Sequence, residues 1–229
     1  GHSNTGSGSY ALYKNTTGAC NQAYGTLSLY HNTTGCLNSG FGRSTLCSNT
    51  TGSFNTAIGS CALPKNTTAS DNVAVGYAAL KVNIIGARNT AVGNCALCAN
   101  VCGNGNAAFG HKAMRDTTSG IYNTASGAFS LHNNTTGSTN AAHGNLALYS
   151  NTTGANNTAS GTKSLYDNTT GCLNTAIGYE TLYENTTSNY NTAVGACSLY
   201  ANTTGASLVA VGYNALKSST CANCSTAVG

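Results

Sequence analysis

Eleven cysteines, five histidines, five acids and a recurring Asn-Thr-Thr are the residues of this 229-residue chain that could support chemistry. Asn-x-Thr is the acceptor pattern for N-linked glycan transfer, in which the asparagine amide takes the sugar. It recurs at one phase, at Asn15, Asn32, Asn49, Asn66, Asn134, Asn151, Asn168, Asn185 and Asn202. These nine are the expected glycosylation sites, one covalent glycan per coil. The competing reading is that N-T-T-G is a good turn copied along with its repeat, so that nine matches are one observation. Asn133 and Asn156 fit the pattern off the column, and Asn223 fits it with serine in place of threonine.

The cysteines include two C-x-x-C pairs, Cys95/Cys98 and Cys221/Cys224. A zinc site would need both pairs together, and they lie far apart in the chain. A thioredoxin-like motif would need a βαβ context, which the sequence lacks. Disulfides within a coil or between neighbouring coils are expected instead: Cys95–Cys98, Cys221–Cys224, Cys47–Cys61 and Cys20–Cys36. Free small core thiols are the alternative. Cysteines and sequons in one chain point to an oxidising, extracellular or virion- or cell-surface setting. His2, His31, His111, His132 and His143 fall in different columns, and the only facing acids are Glu180 and Glu184. No nucleophile–base pair, phosphate loop or metal cluster can be assembled, so no cofactor and no enzymatic activity are expected.

The elements that carry these residues are set by a repeat. The glycine of N-T-A-x-G recurs from Gly8, Gly25 and Gly42 through Gly212 to Gly229, always 17 residues apart, with no insertion or deletion. An array that never slips marks a solenoid. With that glycine as position 0, Leu12, Leu29, Leu46 and their successors form a column at +4, broken only by Met114. This column is the expected buried spine. Alanine at −2 implies close backbone approach, and the variable −1 residue faces the other way. A second asparagine at −4 (Asn21, Asn38, Asn55 and onward) can form a ladder of amides from coil to coil. Asn, Thr and Gly are poor helix formers. The predicted fold is therefore an all-β parallel β-solenoid of 17-residue coils, with two or three short strands per coil. Residues 1–229 form one array, uncapped at both ends and expected to be a segment of a longer fibre protein.

Charged residues are only 6% and the net charge is +4, scattered, which excludes an electrostatic case for nucleic acid. No apolar run approaches the ~20 residues of a membrane span.

The N-T-A-[IV]-G-x-x-[AS]-L pattern resembles the head repeats of trimeric autotransporter adhesins. Extended through L-Y-x-N-T-T-G, it resembles repeat arrays of phage and giant-virus tail-fibre-like proteins. The resemblance covers essentially the whole chain. It implies a left-handed β-roll, several chains side by side and a host glycan or surface protein as partner. The repeat is longer than the adhesin one, and N-T-T-G is not part of the adhesin pattern.

The leading expectation is a structural subunit of an extracellular fibre or filament that self-associates end to end, laterally or both. An adhesin or receptor-binding stalk is the alternative, with the −1 face or the +5 tyrosines (Tyr13, Tyr30, Tyr149, Tyr166, Tyr183, Tyr200) as its contact. An ice-binding solenoid is a third reading, disfavoured because adjacent threonines should point to opposite sides. Where the sequon column lapses, Val82, Ile84, Ile85 and Val101 supply apolar residues, and these are the expected chain-contact residues.

Overall fold

The computed structural model describes residues 1–229. The fold is an all-β parallel β-solenoid, one three-residue strand per coil and fourteen strands in all. Two compact units divide the chain, Gly1–Ser119 and Gly120–Gly229. The first runs from β1 (Thr5–Ser7) to β7 (Ala107–Phe109), the second from β8 (Thr124–Ser126) to β14 (Thr226–Val228). Within each unit every strand pairs in parallel with the next at an offset of one repeat. Thr5 faces Gln22 and Gly6 faces Ala23; Thr158 faces Thr175 and Ala159 faces Ala176.

Only one strand forms per coil, against the two or three expected. The rest of the coil is turn backbone, because three non-glycine positions take positive φ. These are +2, +4 and +12, occupied for example by Leu27, Leu29 and Leu37. The +4 spine sits at φ between 49° and 55° throughout. A left-handed residue costs about 1–2 kcal/mol, whereas burying a leucine contributes about 1.5–3 kcal/mol. The spine alone is therefore close to neutral, and the conformation persists because of what it does to the amides. Leu27 N–H donates back to the Ser9 carbonyl of the preceding coil at 2.9 Å, and Leu29 N–H donates forward to Thr45 at 2.9 Å. Changing hand along the segment lets a non-strand stretch bond both neighbours.

The interior is narrow. The spine leucines from Leu29 to Leu199 are fully buried, as are the −2 alanines such as Ala23, Ala57 and Ala159. Position 0 needs glycine for two reasons. Gly144 has φ 132°, and a Cβ there would lie 2.6 Å from the Gly161 carbonyl oxygen. The glycine of N-T-T-G is different: it does not have positive φ. It is small because the next coil's backbone and the asparagine ladder crowd it: a Cβ on Gly35 would overlap the Gly52 carbonyl oxygen and lie 2.5 Å from Asn32 Oδ1 and 2.9 Å from the Asn49 amide nitrogen. Ala69 and Ser188 occupy the same column, so the coil yields there.

Candidate functional site

Two asparagine ladders line the inside of the corners. At −4, Asn38 Nδ2 donates to Asn21 Oδ1 at 3.1 Å and to the Gly52 carbonyl at 2.8 Å, while its backbone N–H donates to Asn21 Oδ1. At +7, the sequon asparagines do the same work. Asn49 Nδ2 donates to Asn32 Oδ1 at 2.8 Å and to the Gly52 carbonyl at 2.9 Å. In the second unit Asn151 donates to Asn134 and Asn168 to Asn151, both at 2.8 Å.

Eight of the nine expected glycosylation sites thus lie inside the fold. Asn32, Asn49, Asn66, Asn134, Asn151, Asn168, Asn185 and Asn202 are fully buried. In all of them but Asn134 both amide hydrogens donate, and Asn134 Nδ2 donates to the Gly137 carbonyl, so the folded coil leaves no room for a sugar on Nδ2. Asn15, half-buried, starts the column, donating to Gly18 and accepting from Asn32. Two coils show that the asparagine is there for the ladder. Asn83 and Asn100 lack the sequon threonine, yet both are buried and laddered, Asn100 to Asn83 at 2.8 Å. The threonines divide in function. The Thr33 carbonyl accepts the N–H groups of Thr16, Thr17 and Gly18 and the Thr16 hydroxyl, the last at 2.9 Å. The following threonine, such as Thr17 or Thr153, is exposed.

The cysteines are thiols here, half-buried except for the exposed Cys221 and Cys224. Cys98 Sγ lies 2.9 Å from Cys95 Sγ, because +2 and +5 come together across the left-handed turn. Burial first, then the hydrogen bond and charge of Cys95, push the Cys98 thiol up to about 12, against the opposing pull of Lys81 and Arg115. Cys47 and Cys61 are +5 and +2 of adjacent coils; burial and then the nearby Cys61 raise the Cys47 thiol. In the Cys20–Cys36 pair, Cys36 Sγ accepts from Ala19 N–H at 3.3 Å and donates to the Thr34 carbonyl.

An open cleft of about 280 Å³ crosses three coils of the first unit, lined by Lys81, Val82, Cys98, Ala99, Arg115 and Asp116. Arg115 grips Asp116 through two contacts at 2.8 and 2.7 Å. A second, aromatic cleft of about 340 Å³ is lined by Tyr10, Tyr13, Leu27 and Tyr30. Tyr13 and Tyr30 stack at 5.5 Å, with Tyr10 edge-on to both. The +5 stripe of the second unit is a continuous stack. His132, Tyr149, Tyr166, Tyr183 and Tyr200 follow one another at 5.0–5.2 Å with nearly parallel rings. On the −1 face, Tyr24 stacks on Phe41 at 5.0 Å, and Ile58 and Phe109 are also exposed.

The acids hold one arrangement that the sequence reading missed. Asp167 and Glu184 are both at +6 in adjacent coils, and burial followed by the Glu184 charge raises the Asp167 carboxyl. Their shared column was the signal. Glu180 instead meets Lys163 at 3.5 Å. Ile84, Ile85 and Val101 are 40%, 58% and 38% exposed, with Val82 half-buried. No helix is long and apolar enough to cross a membrane. No protein-family model, no curated protein and no solved structure matches the chain.

Proposed function

We propose that the chain is a structural subunit of an extracellular or virion- or cell-surface fibre, assembled by self-association and without an enzymatic role. The observation that carries this reading is the commitment of each coil to its neighbour. In coil after coil the same asparagine amides, threonine hydroxyl and backbone groups bond along the stacking direction. Such a stack spends its polar groups on cohesion along one axis, which suits tension-bearing material. Lateral contact falls to the apolar window at Val82, Ile84, Ile85 and Val101, where exposed hydrophobic residues interrupt a polar corner. The sugar coat expected from the sequons is not part of the proposal.

Electron microscopy of concentrated protein, with diffraction from aligned material, tests it. Filaments with a strong reflection at ~4.8 Å along their axis are the expected result. Monodisperse particles at every concentration would overturn it. The adhesin alternative is favoured by one feature, the aromatic cleft of Tyr10, Tyr13 and Tyr30, whose ring faces suit a sugar. Saturable glycan binding lost in Tyr13→Ala would establish that reading.

A further inference from the structure

We infer that Cys95 and Cys98 form a thiol–disulfide exchange site that accepts a carboxylate-bearing low-molecular-weight disulfide through the Lys81–Arg115 cleft. The inference stands independently of the fibre reading. Three observations meet at one place. The two sulfurs are 2.9 Å apart within one coil. Cys98, and not Cys95, lines the open cleft, so it is the sulfur a ligand meets. The flanking +5 residues of the neighbouring coils are Lys81 and Arg115, both cations. Asp116 neutralises one charge and leaves a net single positive charge beside the thiol, the sign that draws an anionic disulfide. The tyrosine that fills +5 in six coils is replaced here by Lys81, Cys98 and Arg115, which leaves the cleft open.

The step balances without a metal. Because burial and Cys95 hold the Cys98 proton tightly, the Cys98 thiolate forms in alkaline solution, by loss of its proton to hydroxide, and attacks one sulfur of the ligand disulfide. The ligand's S–S bond breaks, one ligand thiolate leaves and takes up a proton, and Cys98 carries the mixed disulfide. Cys95 then loses its proton and attacks the Cys98 sulfur, expelling the second ligand thiolate, which is protonated in turn. Two protein thiols are oxidised to one disulfide, and one ligand disulfide is reduced to two thiols.

The test uses the full chain with oxidised glutathione as the probe. Trypsin releases residues 89–112, which also contain Cys102, a background thiol outside the cleft. The expected result is an internal Cys95–Cys98 link with no retained glutathione, while Cys102 keeps glutathione as a mixed disulfide. In Cys95→Ser, glutathione should stay on Cys98. Lys81→Ala should remove most of the rate preference for oxidised glutathione over the uncharged bis(2-hydroxyethyl) disulfide. The site is overturned if Cys95 and Cys98 each retain glutathione unlinked, or stay reduced while Cys102 reacts. A Cys98 preference for the anionic disulfide equal to that of Cys102 and unchanged in Lys81→Ala would remove the cleft from the inference.

Discussion

Leu165 is fully buried at φ 51°, a backbone setting that β-branched side chains tolerate worst. In an ordinary core Leu→Ile costs less than about 1.5 kcal/mol. Here the branch at Cβ meets the left-handed backbone as well, so Leu165→Ile should cost about 2–3 kcal/mol. Leu165→Met, the substitution already present at Met114, should cost under about 1.5 kcal/mol. Denaturant melts of the two variants check the difference, and equal losses would remove the left-handed assignment. The sequence held this signal in plain view. Neither Val nor Ile occurs among the positive-φ residues, and Thr appears once, at Thr139. A strand-borne spine would have mixed Leu with Ile and Val, but uniformity was read as burial alone. Asp167 gives a pH test at the same scale. Its carboxyl is raised by burial and by Glu184, so the folded chain holds that proton more tightly than the unfolded chain. The resulting stability is fully present below the ordinary value of 3.8 and is lost as pH rises through the raised folded value. Asp167→Asn should therefore raise the melting temperature at neutral pH, with the advantage vanishing in acid. A gain that persists undiminished in acid would assign the effect to something other than the carboxylate pair.

The coil's corner is where the sequence was legible in kind and misleading in use. The −4 asparagines could be read as a ladder because they precede each strand without any competing motif. The +7 asparagines carried the same physics, but the following threonines made a sequon of them, and burial cannot be read from a motif. The ladder explains a defect too. Thr117 replaces asparagine at +7, and both Asn100 Oδ1 and Thr117 Oγ1 are buried without a hydrogen-bond partner. A buried unsatisfied polar atom costs about 1–3 kcal/mol. Thr117→Asn should restore a donor to Asn100 and raise stability by about 1 kcal/mol. Asn151→Ala should do the reverse, removing the bonds to Asn134 and Gly154 and orphaning the donor of Asn168. Its expected cost is about 2–4 kcal/mol, with faster amide exchange concentrated in the coils on either side. If Asn151→Ala melts like the parent, the +7 column does not hold the corner together.

At the scale of the whole molecule, stacking follows from the 17-residue period, whereas lateral association depends on what the coils leave uncovered. Most corner positions at +8 and +9 are threonine, one hydroxyl tied to the next coil and the other in water. At Ile84, Ile85 and Val101 the same backbone ladder is kept, Ile84 N–H donating to Val101 at 3.1 Å and Val101 N–H to Thr118 at 2.9 Å. The coil geometry is thus indifferent to whether the side chain is threonine or isoleucine. What changes is the surface, from hydroxyls to apolar groups, and isolated apolar residues would mean little without their contiguity. Replacing Ile85 and Val101 together by aspartate should leave the melting temperature of the dilute chain within about 2 °C of the parent, since both side chains are exposed. The same pair of changes should weaken lateral association by at least roughly tenfold, because each desolvated carboxylate would oppose the contact. Sedimentation velocity across a concentration series, with micrographs of the same samples, reads both quantities. Unchanged bundling of the double variant would place the contact on another face, and a collapsed melting temperature would show that these side chains support the coil itself.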